Sequence, residues 1–342
     1  MKIAGFSSGH DVAYCVLNNG IPEIHNELER FNRVKDTQGD SIDFFFKNYK
    51  DYKEVKYFTH CIGSKRDNDQ YYKKSFDKCR SLGTWVDTGH HQSHAANAFY
   101  SSDFKESLII TIDAGGVDRI NKPIHTCFTV WEGKDNKIKE LEIWPSSNFH
   151  MGGVWSACTV NIFGLSATSP SQQGTVMGMA ALGDPNKYLS HFLPNVFQNQ
   201  NKLPSNYQYL SKLVKQSEQA KFDVAASLQK ITEITMNDIL NDLIKKYNPK
   251  NLCFSGGCAL NCVLLGKIYD WYPKINIFCD PVPYDAGLAL GSARYVWHDI
   301  LDKPRIYNTP QNRTSYLGKT YSIEDVNNAL KKYNINKNET LK

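Results

Sequence analysis

Two apolar runs behave alike, and together they constrain the fold more than any other feature. "KIAGF" at 2–6 passes through "SSGHD" into "VAYCVLNNGIPEIHNELER", which reads as a strand, an Asn-Asn-Gly turn and a returning strand. "SLIITIDAGG" at 107–116 passes into "HTCFTVWEG" and "KIKELEIWPS", a second hairpin. An Asn-Gly turn between apolar runs is a hairpin signal. After each hairpin the chain alternates helices with short strands, so the pattern starts once near residue 2 and restarts near 107. A sheet opened by a hairpin and extended by helical crossovers is an α/β unit, and two of them predict two lobes. The length of 342 residues agrees, because a single core rarely grows so large. No clear sequence repeat relates the halves.

Helices are predicted near "DSIDFFFKNYK", through "DQYYKKSFDKCRSLG", and from about His91 to Tyr100; strands are predicted at "EVKYFTHCIG" and "TWVDTG". From about residue 150 the chain becomes helical, ending in "KFDVAASLQKITEITMNDILNDLIKKYN", which stops at Asn-Pro. "NLCFSGG" and "INIFCD" are strands that lead into "CALNCVLLGKIYDWYP" and "AGLALGSARYVWHDI". The expected division is a first lobe at 1–145, a second lobe with a helical insertion at 146–300, and a tail or bridge at 301–342.

A composition of 41% hydrophobic and 22% charged residues excludes fibrous and disordered classes. The net charge of +5 permits contact with nucleic acid without requiring it, and the Lys clusters read first as solvated surface. Nine cysteines without a Cys-x-x-Cys pair, mostly inside apolar runs, point to reduced thiols and a cytoplasmic setting. No apolar run reaches the roughly eighteen residues of a membrane span, so no membrane association is expected. Cys158 and Cys258 are kept as nucleophiles to be tested.

Five residues carry chemistry by type and spacing. His90 and His94, in "HHQSHAANAFY", share one helix face at a spacing that suits a common metal ion, yet a lone pair of this kind is also an ordinary core or cap feature. Asp113 ends an apolar strand, where α/β proteins place functional groups, and an Asp there also starts ordinary turns. Asp285 opens a helix and reads equally as its N-cap. Two imidazoles and two carboxylates would suit an octahedral iron or manganese rather than a closed zinc site. His10, between Gly9 and Asp11, suits a general base or an exposed loop. "CFSGGCALN" offers backbone N–H groups to a phosphate but has neither the Walker lysine nor G-x-G-x-x-G spacing.

The segments "SSGHDVAYCVLNNG", "HHQSHAANAFY", "IITIDAGG", "VMGMAALG", "SGGCALNC" and "YDAGLALGSA" follow the order of motifs in the O-carbamoyltransferases of nodulation and aminoglycoside-antibiotic pathways. The chain resembles that family over about residues 1 to 295. Its relatives are the threonylcarbamoyl-transfer proteins of tRNA modification, and the implied fold is that of actin, sugar kinases and heat-shock proteins.

The resemblance implies metal ligands at His90, His94, Asp113 and Asp285, with Fe2+ or another divalent ion. It implies His10 as base toward an acceptor hydroxyl, and Gly178, Gly256, Gly257 and Asn261 as contacts to the adenylate of a carbamoyl donor. Family members make that donor from ATP and carbamoyl phosphate in a C-terminal YrdC-like domain. Such a domain is absent here, so a missing domain or a YrdC-like partner chain is expected. The acceptor implied is a small-molecule hydroxyl or one carried by nucleic acid, such as a sugar, an antibiotic or a hydroxymethylated base in DNA. A homo-oligomer is kept open. The alternatives are a tRNA threonylcarbamoyl transferase and a non-catalytic metal- and nucleotide-binding module. "IDAGG" departs from the family's Asp-Gly followed by an acidic pair, which places the acceptor pocket in question.

Overall fold

The structure, a computed structural model, describes residues 1–61, 70–118, 124–193, 196–198, 202–307 and 321–335. The ten strands are β1 (Lys2–Ser7), β2 (Ala13–Asn18), β3 (Ile21–Glu27), β4 (Val55–His60), β5 (Thr84–Asp87), β6 (Glu106–Asp118), β7 (Ile124–Lys134), β8 (Lys137–Pro145), β9 (Asn251–Ser255) and β10 (Asn276–Cys279). The helices are α1 (Leu28–Asn32), α2 (Ser41–Asn48), α3 (Gln70–Leu82), α4 (His90–Ser101), α5 (Met151–Asn161), α6 (Gln173–Ala180), α7 (Tyr207–Gln216), α8 (Glu218–Tyr247), α9 (Cys262–Trp271), α10 (Gly287–Tyr295) and α11 (Ile323–Lys332).

The first sheet runs β3-β2-β1-β4-β5 and the second β8-β7-β6-β9-β10, so the two have one topology. In each, three antiparallel strands precede two that lie parallel to the first. The restart inferred from the hydrophobic pattern is therefore a repeat in the fold, although no clear sequence repeat relates the halves. The division at 145/146 does not separate the sheets. β6–β8 share one sheet with β9 and β10 through the pairing of β6 with β9, and that sheet begins at Glu106, where the hydrophobic pattern restarts. The far end also crosses over, because α10 packs on β1 and β2. Within 301–342, residues 308–320 and 336–342 fall outside the described residues, and with them about half of the expected bridge.

Strand periodicity decides the layering. On β2, Val12, Tyr14 and Val16 face α2 while Ala13, Cys15 and Leu17 face α10; on β6, Leu108, Ile110 and Ile112 face α5 and α8 while Ile109 faces α4. Apolar side chains on both faces are the mark of a sheet covered on both sides. The order of layers is helices, first sheet, the pair α10 and α4, second sheet, helices. At the centre α4 and α10 approach so closely that a Cβ on Gly291 would lie 1.8 Å from the Ser93 carbonyl oxygen. No described helix is long and apolar enough to cross a membrane.

Candidate metal centre

The predicted strand end at Asp113 is instead an irregularity inside a longer strand. β6 continues to Asp118, and its register with β7 breaks between Ile112 and Gly116. A bulge of this kind re-aims side chains beside functional sites. Here it turns Asp113 out of the ladder. Its Oδ1 accepts from the N–H of Ala114 at 2.7 Å and of Gly257 at 3.3 Å, which leaves Oδ2 free to face α4.

His90 and His94 project from the first turns of α4 toward that oxygen. His90 Nε2 lies 2.8 Å from Asp113 Oδ2 and 3.7 Å from Asp285 Oδ1; His94 Nε2 lies 3.4 Å from each. Asp285 does not cap α10. Ala286 occupies the N-cap, and the Asp285 carboxylate turns to the histidines. The four ligand atoms lie within 4.8 Å of one another. Gly116 makes room for the His90 ring, since a Cβ there would meet His90 Cγ at 2.1 Å.

The donor set fits a cation. The Ser255 hydroxyl donates to the Pro283 carbonyl at 3.2 Å and so can accept from His94 Nδ1 at 3.4 Å. That directs the lone pair of Nε2 at two carboxylates. His94 Nε2 is fully buried and, among the described residues, has no hydrogen-bond partner. Burial opposes a charged ring, but Asp113 and Asp285 together hold His94 up at about 9. Asp113 is pushed well below its ordinary value: burial works against this, and the two histidines outweigh it. Two imidazoles and two carboxylates in this proximity suit a divalent ion of the Fe2+ or Mn2+ kind.

Outer contacts hold α4 in place. Gly89 supplies no capping side chain, so Asp118 does so from β6, accepting from the N–H groups of His91 and Gln92 at 3.1 Å each and from the Thr126 hydroxyl at 3.1 Å. At the other end Arg305 donates to the carbonyls of Phe99 and Ser102 at 2.8 and 2.7 Å. His91, whose role the sequence leaves unnamed, faces neither metal ligands nor solvent. Its Nε2 donates to Thr126 O at 3.1 Å and its Nδ1 bonds the Thr111 hydroxyl, so it pins α4 to β6 and β7. Asp118, Arg305 and His91 escape sequence reasoning because their partners lie far away along the chain.

His10 stands at the rim, with its side chain 58% exposed. Its Nδ1 is 2.9 Å from Asp11 Oδ2 and its Nε2 3.4 Å from Asp285 Oδ2. The hydrogen bond to Asp11 raises His10 to about 9, with Asp285 adding to it against partial burial.

The residues expected at the nucleotide are less tightly assembled. Gly256 and Gly257 adjoin Asp113, and Gly256 takes φ +91°, the region glycine favours. Asn261 caps α9, accepting from Leu264 N–H at 3.0 Å, and donates to Gln229 at 2.8 Å. Gly178 is exposed on α6, and a Cβ there would meet nothing within 4 Å. Beside them α6, α8 and α9 enclose a cavity of about 300 Å³ lined by Met177, Gly183, Gln229, Glu233 and Lys267, among others. Met177 and Gly183 fall in the segment "VMGMAALG", whereas nothing in the sequence singles out Gln229, Glu233 or Lys267. Burial pushes the thiols of Cys158 and Cys258 up, which removes their case as nucleophiles.

Comparison with known proteins agrees with this architecture. Residues 11–294 match the family described as carbamoyltransferase N-terminus. The nodulation protein NolO of Bradyrhizobium diazoefficiens is 31% identical over 223 residues, covering 62% of this chain and 38% of NolO. Two further relatives are covered over 43% and 33% of their lengths, so the chain spans well under half of these proteins. Full-length HypF in its phosphate- and nucleotide-bound form superposes with a TM-score of 0.54 at 12% identity, over 88% of this chain and 56% of HypF. Component A of the (R)-2-hydroxyglutaryl-CoA dehydratase of Acidaminococcus fermentans gives 0.51 at 13% identity, over 86% of this chain and 97% of its own. These likenesses establish the two-lobed fold of the actin, sugar-kinase and heat-shock class. A match that spans the hairpin after His10, the α4 histidines, the Asp113 bulge and the Asp285 loop places this chain in the carbamoyltransferase N-terminus family.

Proposed function

We propose that the chain transfers a carbamoyl group from a carbamoyl-adenylate to an acceptor hydroxyl, with a divalent ion, Fe2+ by preference, on His90, His94, Asp113 and Asp285. The observation that carries the reading is the orphaned His94 Nε2 among two carboxylates and a second imidazole. When bound there, such an ion supplies electrophilic polarisation of a donor oxygen and a positive charge that opposes the proton on His10.

His10, oriented by Asp11, then accepts the proton of the attacking hydroxyl. The acceptor oxygen forms a bond to the carbamoyl carbon, the bond between that carbon and the phosphate oxygen breaks, and adenylate leaves. The cavity by Gln229 and Lys267 is the place offered to the adenylate, because the N–H groups of Gly256 and Gly257 are already given to Pro283 O and Asp113 Oδ1. The donor is made from ATP and carbamoyl phosphate by a YrdC-like domain or partner chain, in keeping with the partial coverage of the relatives.

The test is mass spectrometry of products after supplying synthetic carbamoyl-adenylate with a panel of hydroxylated sugars, aminoglycosides and hydroxymethylated DNA. A gain of one carbamoyl group on any acceptor, lost in His10→Asn, supports the reading. Transfer only from threonylcarbamoyl-adenylate to tRNA would replace it with the sister activity. Nucleotide binding without any product would leave a binding module.

A further inference from the structure

Three nitrogen-bearing side chains that the proposed transfer does not use lie near the Asp113 bulge. The His125 ring rests on the backbone of Gly115, where a Cβ would meet Cε1 at 2.3 Å and where φ is +145°. The Lys202 side chain lies over Gly153, its Nζ 3.5 Å from the position of a Cβ there. His150 occupies the N-cap of α5, and its Nδ1 is 3.8 Å from the Cys127 thiol. That thiol donates to Ala114 O at 3.2 Å and ties the group to the bulge.

Among the described residues no hydrogen bond or ion pair ties down the Lys202 ammonium. Burial lowers both histidines, and Lys202 lowers each further by repulsion. Asp113 and Asp118 oppose this at His125 without reversing it. Positive charge facing imidazoles that can donate through N–H is what a doubly charged oxyanion would relieve.

We propose that His125, His150 and Lys202 form a phosphate subsite beside the Asp113 bulge. The phosphate comes either from the donor or from a phosphorylated acceptor. The proposal rests on the carbamoyl-transfer reading for that source and not for the binding itself.

Inorganic phosphate titrated into the full chain, followed by NMR of the imidazoles, should shift the His125 and His150 rings and raise their titration midpoints. Lys202→Met should weaken phosphate binding by about tenfold or more, and Lys202→Arg should restore it to within about threefold. If Lys202→Met fails to fold, His125→Asn, at an exposed ring, carries the same test. Competition by adenosine monophosphate, the donor's leaving group, assigns the subsite to the donor, and competition by a sugar phosphate assigns it to the acceptor. Rings unmoved by saturating phosphate, or unchanged affinity in Lys202→Met, would overturn the subsite. Because no turnover is read, loss of transfer activity elsewhere leaves this result standing.

Discussion

Asp118 caps α4 from another element: its carboxylate accepts the His91 N–H at 3.1 Å, 27 residues back along the chain. The helix that presents both metal-site histidines is thus anchored through the same strand that carries Asp113. Asp118→Ala leaves the helix start and the Thr126 hydroxyl without an acceptor, which should cost about 2–3 kcal/mol of stability. Chemical denaturation would measure it, and an unchanged midpoint would show that Asp118 holds nothing.

Metal binding is predicted to depend on all four side chains. His94→Ala or Asp285→Ala should lower metal content after dialysis by about tenfold or more while circular dichroism stays that of the wild type. A variant that retains its metal removes that residue from the ligand set.

Gly116→Ala tests the same site without touching a ligand. A methyl 2.1 Å from His90 Cγ must displace the ring, so affinity for the ion should fall by about 10- to 100-fold. Metal titration read by competition with a chromophoric chelator decides it.

Acid should destabilise the protein through its buried neutral histidines. Burial lowers His91 and His298 to about 4, so between 6.5 and 4 the unfolded chain binds more protons than the folded one. Their contribution is complete above 6.5 and is lost as pH falls through 4. Asp299, raised by burial to about 6, slopes the other way, with its contribution growing as pH falls. The net loss from pH 7 to pH 5 should be about 2 kcal/mol, and His298→Gln should flatten the curve. A profile that rises toward pH 5 would refute the assignment.

The sequence shows the fold in outline because hairpins and crossovers are written in local turns and strand periodicity. It misplaces the boundary at 145 because pairing of β6 with β9 joins segments more than 140 residues apart. At the site, the local pattern leaves Asp285 open as cap or ligand and the fold turns it to the histidines, while Asn261, expected at the adenylate, caps α9. Either choice is open to an Asp or Asn at a helix start, and only the neighbouring layers settle it. His91 differs from His90 by one position and about 100° around the helix, enough to turn it from the ligands to the sheet.

The four clustered side chains come from α4, from the second sheet, and from the loop leading into α10, which packs on the first. An ion held there would act as a cross-link between halves of the chain, and whatever binds the closed form alone stabilises it by mass action. Release of such an ion and parting of the lobes would then be one event, so that the melting temperature would report the occupancy of the site.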